Sequence, residues 1–430
     1  MIASHQVSLL VTYVLVVIFG IGSWVAINGI WVELPSLVNH APEGWKLGAY
    51  LTVICQLANI GPITYSLVNR KVQRKKLLLH VTIYTLLVVG FLACILLSIF
   101  WRKTTYIHGE RSTALLLLSF LLALVDCTSS VTFLPFMAIL PEVFMSPFYV
   151  GETLSGFIPG LVVLAQGVDS PKISHNQTNS SVVHNATFSS PSSKGLKFPV
   201  EVFFVVLAFL IFLCFCSFAG LNFLKVVKRI HVHKNAKQDS ANETDNDTND
   251  SANDSLPLIQ IQTPNRSPRL LLFLLICLTS LNLIQNGVIS SVSSFACAPY
   301  GNMTYHLVAT LGAISSGLSC FIYLWIPNKS PKIISAMSSA YFILSMYVLV
   351  IATQSPNPLW KFDDRGKVLI IIVSVVASAL VSYSKLSIAS IMRNEGQNYL
   401  YYAGIANQVG SFIGAFAMFP VVNYTDVFKS

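Results

Sequence analysis

Eleven stretches of this chain are apolar and long enough to cross a lipid bilayer, which limits its fold more than any other feature. They lie at approximately 8–30, 47–68, 77–99, 113–138, 147–167, 199–223, 269–290, 306–326, 332–353, 367–391 and 399–421. One helical span needs about 20 apolar residues. Only 10% of the residues are charged, whereas soluble domains carry about 25%. The sequence therefore predicts an all-α integral membrane protein with about eleven transmembrane helices.

Basic residues indicate the orientation of the spans. Clusters of Lys and Arg follow span 2, at 70–76, and span 6, at 225–237. Both lie on the cytoplasmic side if the N-terminus is cytoplasmic, as the positive-inside rule requires. The C-terminus is then extracellular, and the net charge of +9 needs no nucleic-acid partner. The loop between spans 5 and 6 is then outside, and its sequons predict glycosylation at Asn176, Asn179 and Asn185.

A polar segment divides the chain into two halves. The predicted organisation is an N-terminal six-helix bundle over 1–224, a disordered cytoplasmic linker over 225–268 and a C-terminal five-helix bundle over 269–430. Asn28-Gly29 in the first span of one half is matched by Asn286-Gly287 in the first span of the other. Parallel repeats with a site between them are a common transporter design, so we expect these two helices to face one another across a central cavity.

A polar and aromatic stripe in span 1 points to a binding site. Gly20, Trp24, Asn28 and Trp31 recur at helical spacing and are predicted to share one face of a helix. An amide between two indoles is costly to expose to hydrocarbon. We therefore expect the stripe to face a flat small molecule with a polar edge.

Spans 7 and 10 carry further candidate residues. In span 7 Asn282, Gln285, Asn286 and Ser293 share a face, and in span 10 Ser374, Ser378, Ser382 and Lys385 do so, with Tyr383 adjacent. Their amides and hydroxyls would suit a hydrated pathway. The structural alternative is hydrogen bonding between helices and close helix packing.

Three acidic residues in or near spans are candidates for coupling. Asp126 and Glu152 could pair with Lys385, bind substrate or carry a proton. Glu33 lies off the stripe and is predicted to be a gate or a structural contact. Asn59 in span 2 and Gln408 in span 11 are equally compatible with the pathway and with packing.

Several kinds of protein lack support in the sequence. There is no Walker A loop, no metal-binding box and no Gly-x-Ser-x-Gly elbow. The eight cysteines show neither metal-ligand spacing nor a disulfide framework. We expect neither an ATP-driven pump nor an enzyme, and we expect no metal and no cofactor.

Long segments of the chain resemble one family. They include GIGSWVAINGIWVELP (20–35), PEGWKLGAYLTVICQLANIGP (42–62), ALVDCTSSVTFLPFM (123–137), QNGVISSVSSFACAPYG (285–301) and QVGSFIGAFAMFP (408–420). These segments resemble the eukaryotic riboflavin transporter family of solute carriers. The middle segments are most similar to the intestinal-type vertebrate member.

The resemblance implies sodium-independent riboflavin uptake across the plasma membrane by alternating access. It also implies two helical bundles similar to those of equilibrative nucleoside transporters and major-facilitator proteins. Riboflavin would be the substrate and the lipid bilayer the surroundings, and no obligate protein partner is expected. The alternatives are a carrier of another planar heterocycle, such as a nucleoside or pterin, and a membrane receptor that does not transport.

The chemistry of the candidate residues fits a flavin. Stacking surfaces for the isoalloxazine ring are predicted at Trp24, Trp31, Phe133, Phe295 and Tyr383. Asn28, Asn286 and Gln408 are predicted to bind its uracil-like edge. Serines would meet the ribityl hydroxyls.

Overall fold

The computed structural model describes residues 2–106, 109–168, 196–223, 267–358, 360–395 and 397–429. The three predicted glycosylation sites of the loop between spans 5 and 6 lie outside these ranges. So does nearly all of the predicted linker over 225–268.

Almost all of the described chain is helical, as expected for backbone that must satisfy its own hydrogen bonds in lipid. The first half contains α1 (Ile2–Ile21), α2 (Val25–Val38), α3 (Leu47–Leu57), α4 (Ile60–Lys71), α5 (Lys75–Phe100), α6 (Thr113–Met137), α7 (Met145–Gln166) and α8 (Val200–Phe223). The second half contains α9 (Pro268–Asn282), a π-helical segment (Leu283–Ile289), α10 (Ser290–Cys297), α11 (Asn302–Trp325), α12 (Pro331–Thr353), α13 (Asp364–Glu395) and α14 (Gln397–Tyr424). Short 3₁₀ turns lie at Gly44–Lys46, Glu142–Phe144 and Ala298–Tyr300. The strands β1 (Thr105–Tyr106) and β2 (Glu110–Arg111) pair antiparallel between α5 and α6.

The described helices confirm a membrane protein with ten to eleven spans. Ten helical stretches are long and apolar enough to cross a bilayer, and the bent pair α1–α2 makes an eleventh. The predicted limits of two spans are too short. Span 1, predicted to end at residue 30, continues to Val38, and the helical stretch of span 7 continues through the 3₁₀ turn to Tyr300.

Span 1 is broken, so the prediction of one continuous stripe along a single helix is wrong. Its two parts meet at 52°, and Trp24 lies outside the helical region with φ −140°. Gly20 packs so close to α7 that a Cβ on it would lie 2.4 Å from the Phe148 carbonyl oxygen. Gly20 and Trp24 therefore lie before the bend and at it, whereas Asn28 and Trp31 lie on the differently directed α2.

Side chains from α6 satisfy the main-chain groups that the break exposes. The Asp126 carboxylate accepts the main-chain N–H of Ile27 at 2.8 Å and also that of Ala26. The Ser129 hydroxyl donates to the main-chain carbonyl of Ser23 at 2.7 Å. The first turn of a helix has unpaired N–H groups, so Asp126 acts as an N-cap supplied by another helix.

The packing of the first half is repeated in the second. Span 1 packs against α7, the last but one helix of its half, and the π segment of span 7 packs against α14. Both crossings are close: a Cβ on Gly151 would lie 2.9 Å from Gly20 Cα, and one on Gly287 would lie 2.4 Å from Gly414 Cα. Spans 1 and 7 thus occupy corresponding places in the two halves.

Most of the contact between the halves comes from four pairs of helices in the described chain, namely α7 with α11, α2 with α11, α3 with α14 and α3 with α10. The buried apolar residues of the first half form one cluster with Val292, Phe295 and Val422 of the second. A separate cluster is formed by α9, α12, α13 and the start of α14. The halves therefore share a core at one end of the spans, and the second half has its own core at the other.

Candidate functional site

A cavity of about 410 Å³ lies between the two halves. Residues of α2 and α7 line it from the first half, and residues of the π segment and of α10, α11, α12 and α13 line it from the second. Small-molecule sites are concave and have volumes of about 300–1,000 Å³. The cavity is therefore a candidate binding site.

Serine hydroxyls line one wall of the cavity. Ser374, Ser378 and Ser382 lie one turn apart on α13, so all three reach the cavity, together with Ser316 of α11 and Ser345 of α12. Serine hydroxyls can both donate and accept hydrogen bonds. This wall is suited to a ligand that carries several hydroxyl groups.

The opposite wall contains two residues of the span 1 stripe. Asn28 and Trp31 are one turn apart on α2, and both line the cavity. The Asn28 amide nitrogen donates to the Ser155 hydroxyl of α7 at 3.3 Å. An aromatic face and an amide are therefore available on one side of the cavity.

A second amide reaches the cavity from the π segment. Gln285 lines it, and the Gln285 Oε1 atom accepts a hydrogen bond from the Lys385 ammonium at 2.8 Å. Ser293, one of the predicted pathway residues, also lines the cavity. In the described structure Lys385 therefore contacts an amide that lines the cavity.

The acidic candidates lie in different surroundings. Glu152 lines the cavity, whereas Asp126 caps α2 as described above. Glu33 is fully buried and accepts a hydrogen bond from Gln166 Nε2 at 3.3 Å. Glu152 is thus the one of the three that a ligand in this cavity could contact.

Six of the residues predicted to bind the substrate do not line the cavity. They are Trp24, Phe133, Asn286, Phe295, Tyr383 and Gln408. Phe133 is buried and stacks on Phe19 with ring centres 4.3 Å apart. Phe295 is buried in the same cluster, which Trp24 also contacts. These aromatic side chains pack in the core because an apolar ring in a helix of a bundle has many other apolar neighbours available.

The remaining predicted polar residues bond to neighbouring helices or to their own helix. Asn286 Nδ2 donates to Asn282 Oδ1 at 3.2 Å and to Ser411 Oγ at 2.9 Å. Asn282 donates to the Leu278 carbonyl within its own helix. Asn59 donates to the Gln56 side chain. Gln408 is exposed on α14, and the Tyr383 hydroxyl donates to the main chain just after α11. Their roles in transport stay predictions.

Some residues that line the cavity were not predicted from the sequence. Tyr341 and Ser345 are one turn apart on α12, and Ser316 and Cys320 are one turn apart on α11. The signal available was the same four-residue spacing that marks the serines of span 10. It is weaker here because each span offers only two such groups among many small residues.

A family model described as solute carrier family 52, riboflavin transporter, matches residues 8–430. The chain is 38% identical over 452 residues to riboflavin transporter member 3-B of that family from Danio rerio, covering 98% of each chain. It is 35% identical to member 3 from Homo sapiens, covering 97% of each chain. It is 34% identical to member 1 from Homo sapiens, covering 98% of this chain and 96% of the relative.

The fold is similar to that of solved transporter structures. A mutant of the nucleoside transporter NupG aligns with a TM-score of 0.55 at 10% identity, over 97% of this chain and 94% of that one. A D-xylose-proton symporter aligns with a TM-score of 0.55 at 11% identity, over 97% and 90% of the two chains. At such identities the likeness concerns the fold alone, and it confirms the predicted major-facilitator-like arrangement of helices.

Proposed function

This chain belongs to the riboflavin transporter family, solute carrier family 52, and we propose that it carries riboflavin across a membrane. The observation that carries the proposal is the cavity between the two halves, with Trp31, Asn28 and Gln285 beside a wall of serines. The isoalloxazine ring is flat and aromatic, with a pyrimidine edge that donates and accepts hydrogen bonds. The ribityl chain supplies several hydroxyl groups.

Each part of riboflavin has a matching part of the cavity. The Trp31 indole offers a stacking face for the ring system. Asn28 and Gln285 offer hydrogen bonds to its pyrimidine edge, and Ser374, Ser378 and Ser382 offer them to the ribityl hydroxyls. This division assigns the ring to the α2 side of the cavity and the sugar-like chain to α13.

We further propose that transport proceeds by alternating access, with the two halves rocking about the cavity. The shared core lies at the end of the spans predicted to be extracellular. There the Ser294 hydroxyl donates to the Trp45 carbonyl at 2.7 Å, and Lys46 reaches the Asn423 carbonyl at 3.4 Å. Both contacts join the halves, so opening toward the outside would have to break them.

The proposed location is the plasma membrane, with the N-terminus cytoplasmic and sodium not required. The family resemblance and the basic clusters after spans 2 and 6 support this proposal. Replacing external sodium by choline tests the coupling: unchanged riboflavin uptake is expected, and loss of uptake would contradict sodium independence.

The first experiment is uptake of tritiated riboflavin by cells that express the chain, with excess unlabelled riboflavin, lumiflavin or uridine. Saturable uptake blocked by both flavins and unaffected by uridine is expected. Asn28→Ala should raise the KM for riboflavin at an unchanged amount of surface protein. Thr85→Ala, at an exposed position of α5, is the matched control and should keep the wild-type KM.

The alternatives predict different results in the same assay. A carrier of nucleosides or pterins would show competition by those compounds and little riboflavin uptake. A receptor that does not transport would bind riboflavin on the cell surface without accumulating it in sealed vesicles. Either result would overturn the proposed function.

A further inference from the structure

The orientation of the Gln285 amide in the cavity is fixed by Lys385. An ammonium group has three donors and no acceptor, so it can bond only to the oxygen of the amide, Oε1, at 2.8 Å. The Gln285 NH₂ group is then turned away from Lys385. It has no hydrogen-bond partner among the described residues, and Gln285 lines the cavity. Gln285 is therefore a hydrogen-bond donor toward a ligand.

The orientation of the Asn28 amide is fixed in the opposite sense by Ser155. A serine hydroxyl has one hydrogen, and Ser155 donates it to the Glu152 carbonyl at 2.6 Å. Its oxygen can then only accept, so the Asn28 amide nitrogen must face it, at 3.3 Å. The Asn28 Oδ1 atom is left without a partner in the described structure. Asn28 is therefore an acceptor toward a ligand.

We propose that the cavity recognises an imide edge, a ring N–H between two carbonyl groups, through these two amides of fixed and opposite polarity. Asn28 Oδ1 accepts from the ring N–H, and the Gln285 NH₂ group donates to a neighbouring carbonyl. Ser155 and Lys385 are positioning residues, since each sets the orientation of an amide without itself lining the cavity. The inference rests on the proposed function, because the pyrimidine ring of riboflavin carries such an edge.

Fixed polarity gives selectivity as well as affinity. A free amide can rotate to offer either its oxygen or its nitrogen, so it tolerates ligands of both kinds. An amide held by a neighbour leaves an unpaired buried polar group when the ligand does not match, which costs about 1–3 kcal/mol, or about 5- to 150-fold in affinity. The cavity should therefore reject planar rings that lack the N–H or the carbonyl.

The first test is riboflavin binding to the purified full-length protein and to Gln285→Glu. Glutamate keeps the length of the side chain and its contact with Lys385 but removes the donor. An increase in Kd of about 10-fold or more is expected. Wild-type affinity in Gln285→Glu would mean that Gln285 only holds Lys385, and it would overturn the proposal.

The two positioning residues are tested by conservative pairs. Lys385→Arg retains a donor-only group, and its Kd for riboflavin should lie within about threefold of the wild-type value. Lys385→Met frees the Gln285 amide, and its Kd should rise about 10-fold. The loss should appear in the KM for uptake rather than in the maximal rate. Equal Kd values for the Arg and Met variants would contradict the positioning role.

A modified ligand tests the Asn28 half without any variant. 3-Methylriboflavin lacks the ring N–H, and the wild-type protein should bind it about 10-fold or more weakly than riboflavin. In Asn28→Ala this difference should shrink to about twofold. Equal binding of the two flavins by the wild type would overturn the inference and leave riboflavin transport standing. Failure of the wild type to bind riboflavin at all would instead overturn the proposed function.

Discussion

Asp126 is expected to stabilise the break in span 1 and thereby to position Asn28 in the cavity. The carboxylate is buried and accepts the N–H groups of Ala26 and Ile27 at the first turn of α2. Asn28 is the next residue along the chain. Asp126→Ala removes both acceptors and leaves two donors without partners inside a helical bundle.

The magnitude follows from those two donors. Each buried unsatisfied donor costs about 1–3 kcal/mol, and loss of an N-cap costs about 0.5–2 kcal/mol. Water cannot readily replace the carboxylate in the membrane interior. We therefore expect Asp126→Ala to lower the free energy of unfolding by about 2–6 kcal/mol. Asp126→Asn retains one acceptor oxygen, so its free energy of unfolding should fall by about 1–2 kcal/mol.

The assay is the apparent melting temperature of the purified variants, measured beside the KM for riboflavin uptake. The melting temperature should fall in the order wild type, Asp126→Asn, Asp126→Ala. The KM should rise in the same order, because the capped turn positions Asn28 in the cavity. Raising riboflavin during heating should recover part of the lost stability, since a ligand that binds only the folded state stabilises it.

A different role for Asp126 would give a different pattern. If its carboxylate served as a proton carrier, Asp126→Asn and Asp126→Ala would abolish transport equally and leave the melting temperature unchanged. That result, or a wild-type melting temperature and KM in Asp126→Ala, would refute the argument that this residue caps α2.

Three other predictions follow from the packing, the cavity and the orientation. Gly287→Ala should lower the melting temperature because its Cβ would lie 2.4 Å from the Gly414 main chain of α14. Gly404→Ala is the control and should keep the wild-type melting temperature, since a Cβ there has nothing within 4 Å. Equal melting temperatures for the two variants would contradict the close crossing. Trp31→Ala should raise the KM for riboflavin about 10-fold and Trp31→Phe much less, because stacking on an aromatic ring is worth about 1–3 kcal/mol; equal KM values would remove Trp31 from the site. Removing the three sequons between spans 5 and 6 should reduce the gel shift on glycosidase treatment. A shift that is lost only when the sequons of the predicted cytoplasmic linker are removed would contradict the predicted orientation; these are Asn242, Asn246, Asn249, Asn253 and Asn265.

The number and class of the helices could be predicted from the sequence because the bilayer imposes one simple requirement. A span must be apolar over about 20 residues, and this chain meets the requirement eleven times. The break in span 1 could not be predicted in the same way. It depends on an N-cap from α6, about 100 residues away in the sequence, and on a glycine contact with α7.

Regular spacing predicted which serines of span 10 share a face. The serines of span 10 were placed on one face by their four-residue spacing alone, and they line the cavity together. The aromatic ligands were less predictable, since a ring such as that of Phe133 suits a helical core as well as it suits a flavin. Periodicity identifies which side chains share a face, but the neighbouring helices decide whether that face meets a cavity or another helix.

The two Asn-Gly sites show why a repeat in sequence need not give a repeat in chemistry. Both lie in the first span of their half, yet Asn28 lines the cavity whereas Asn286 donates to Asn282 and Ser411. Asn286 lies in the π segment. A π turn holds one more residue than an α turn, which rotates the side chains by about 100° relative to a continuous α-helix. Gln285 thereby lines the cavity where the repeat predicts asparagine.

Because of this difference, the two halves present different hydrogen-bonding groups to the cavity. Two asparagines in equivalent surroundings would present equivalent groups to the ligand, which suits a symmetric ligand or none. The Ser155 hydroxyl holds the Asn28 amide nitrogen, so the Asn28 oxygen is directed to the ligand. The Lys385 ammonium holds the Gln285 oxygen, so the Gln285 nitrogen is directed to the ligand. An acceptor in one half therefore faces the same space as a donor in the other. A ring with an N–H beside a carbonyl can satisfy both only in one orientation, so the departure from symmetry in the π segment fixes how the proposed substrate lies between the halves.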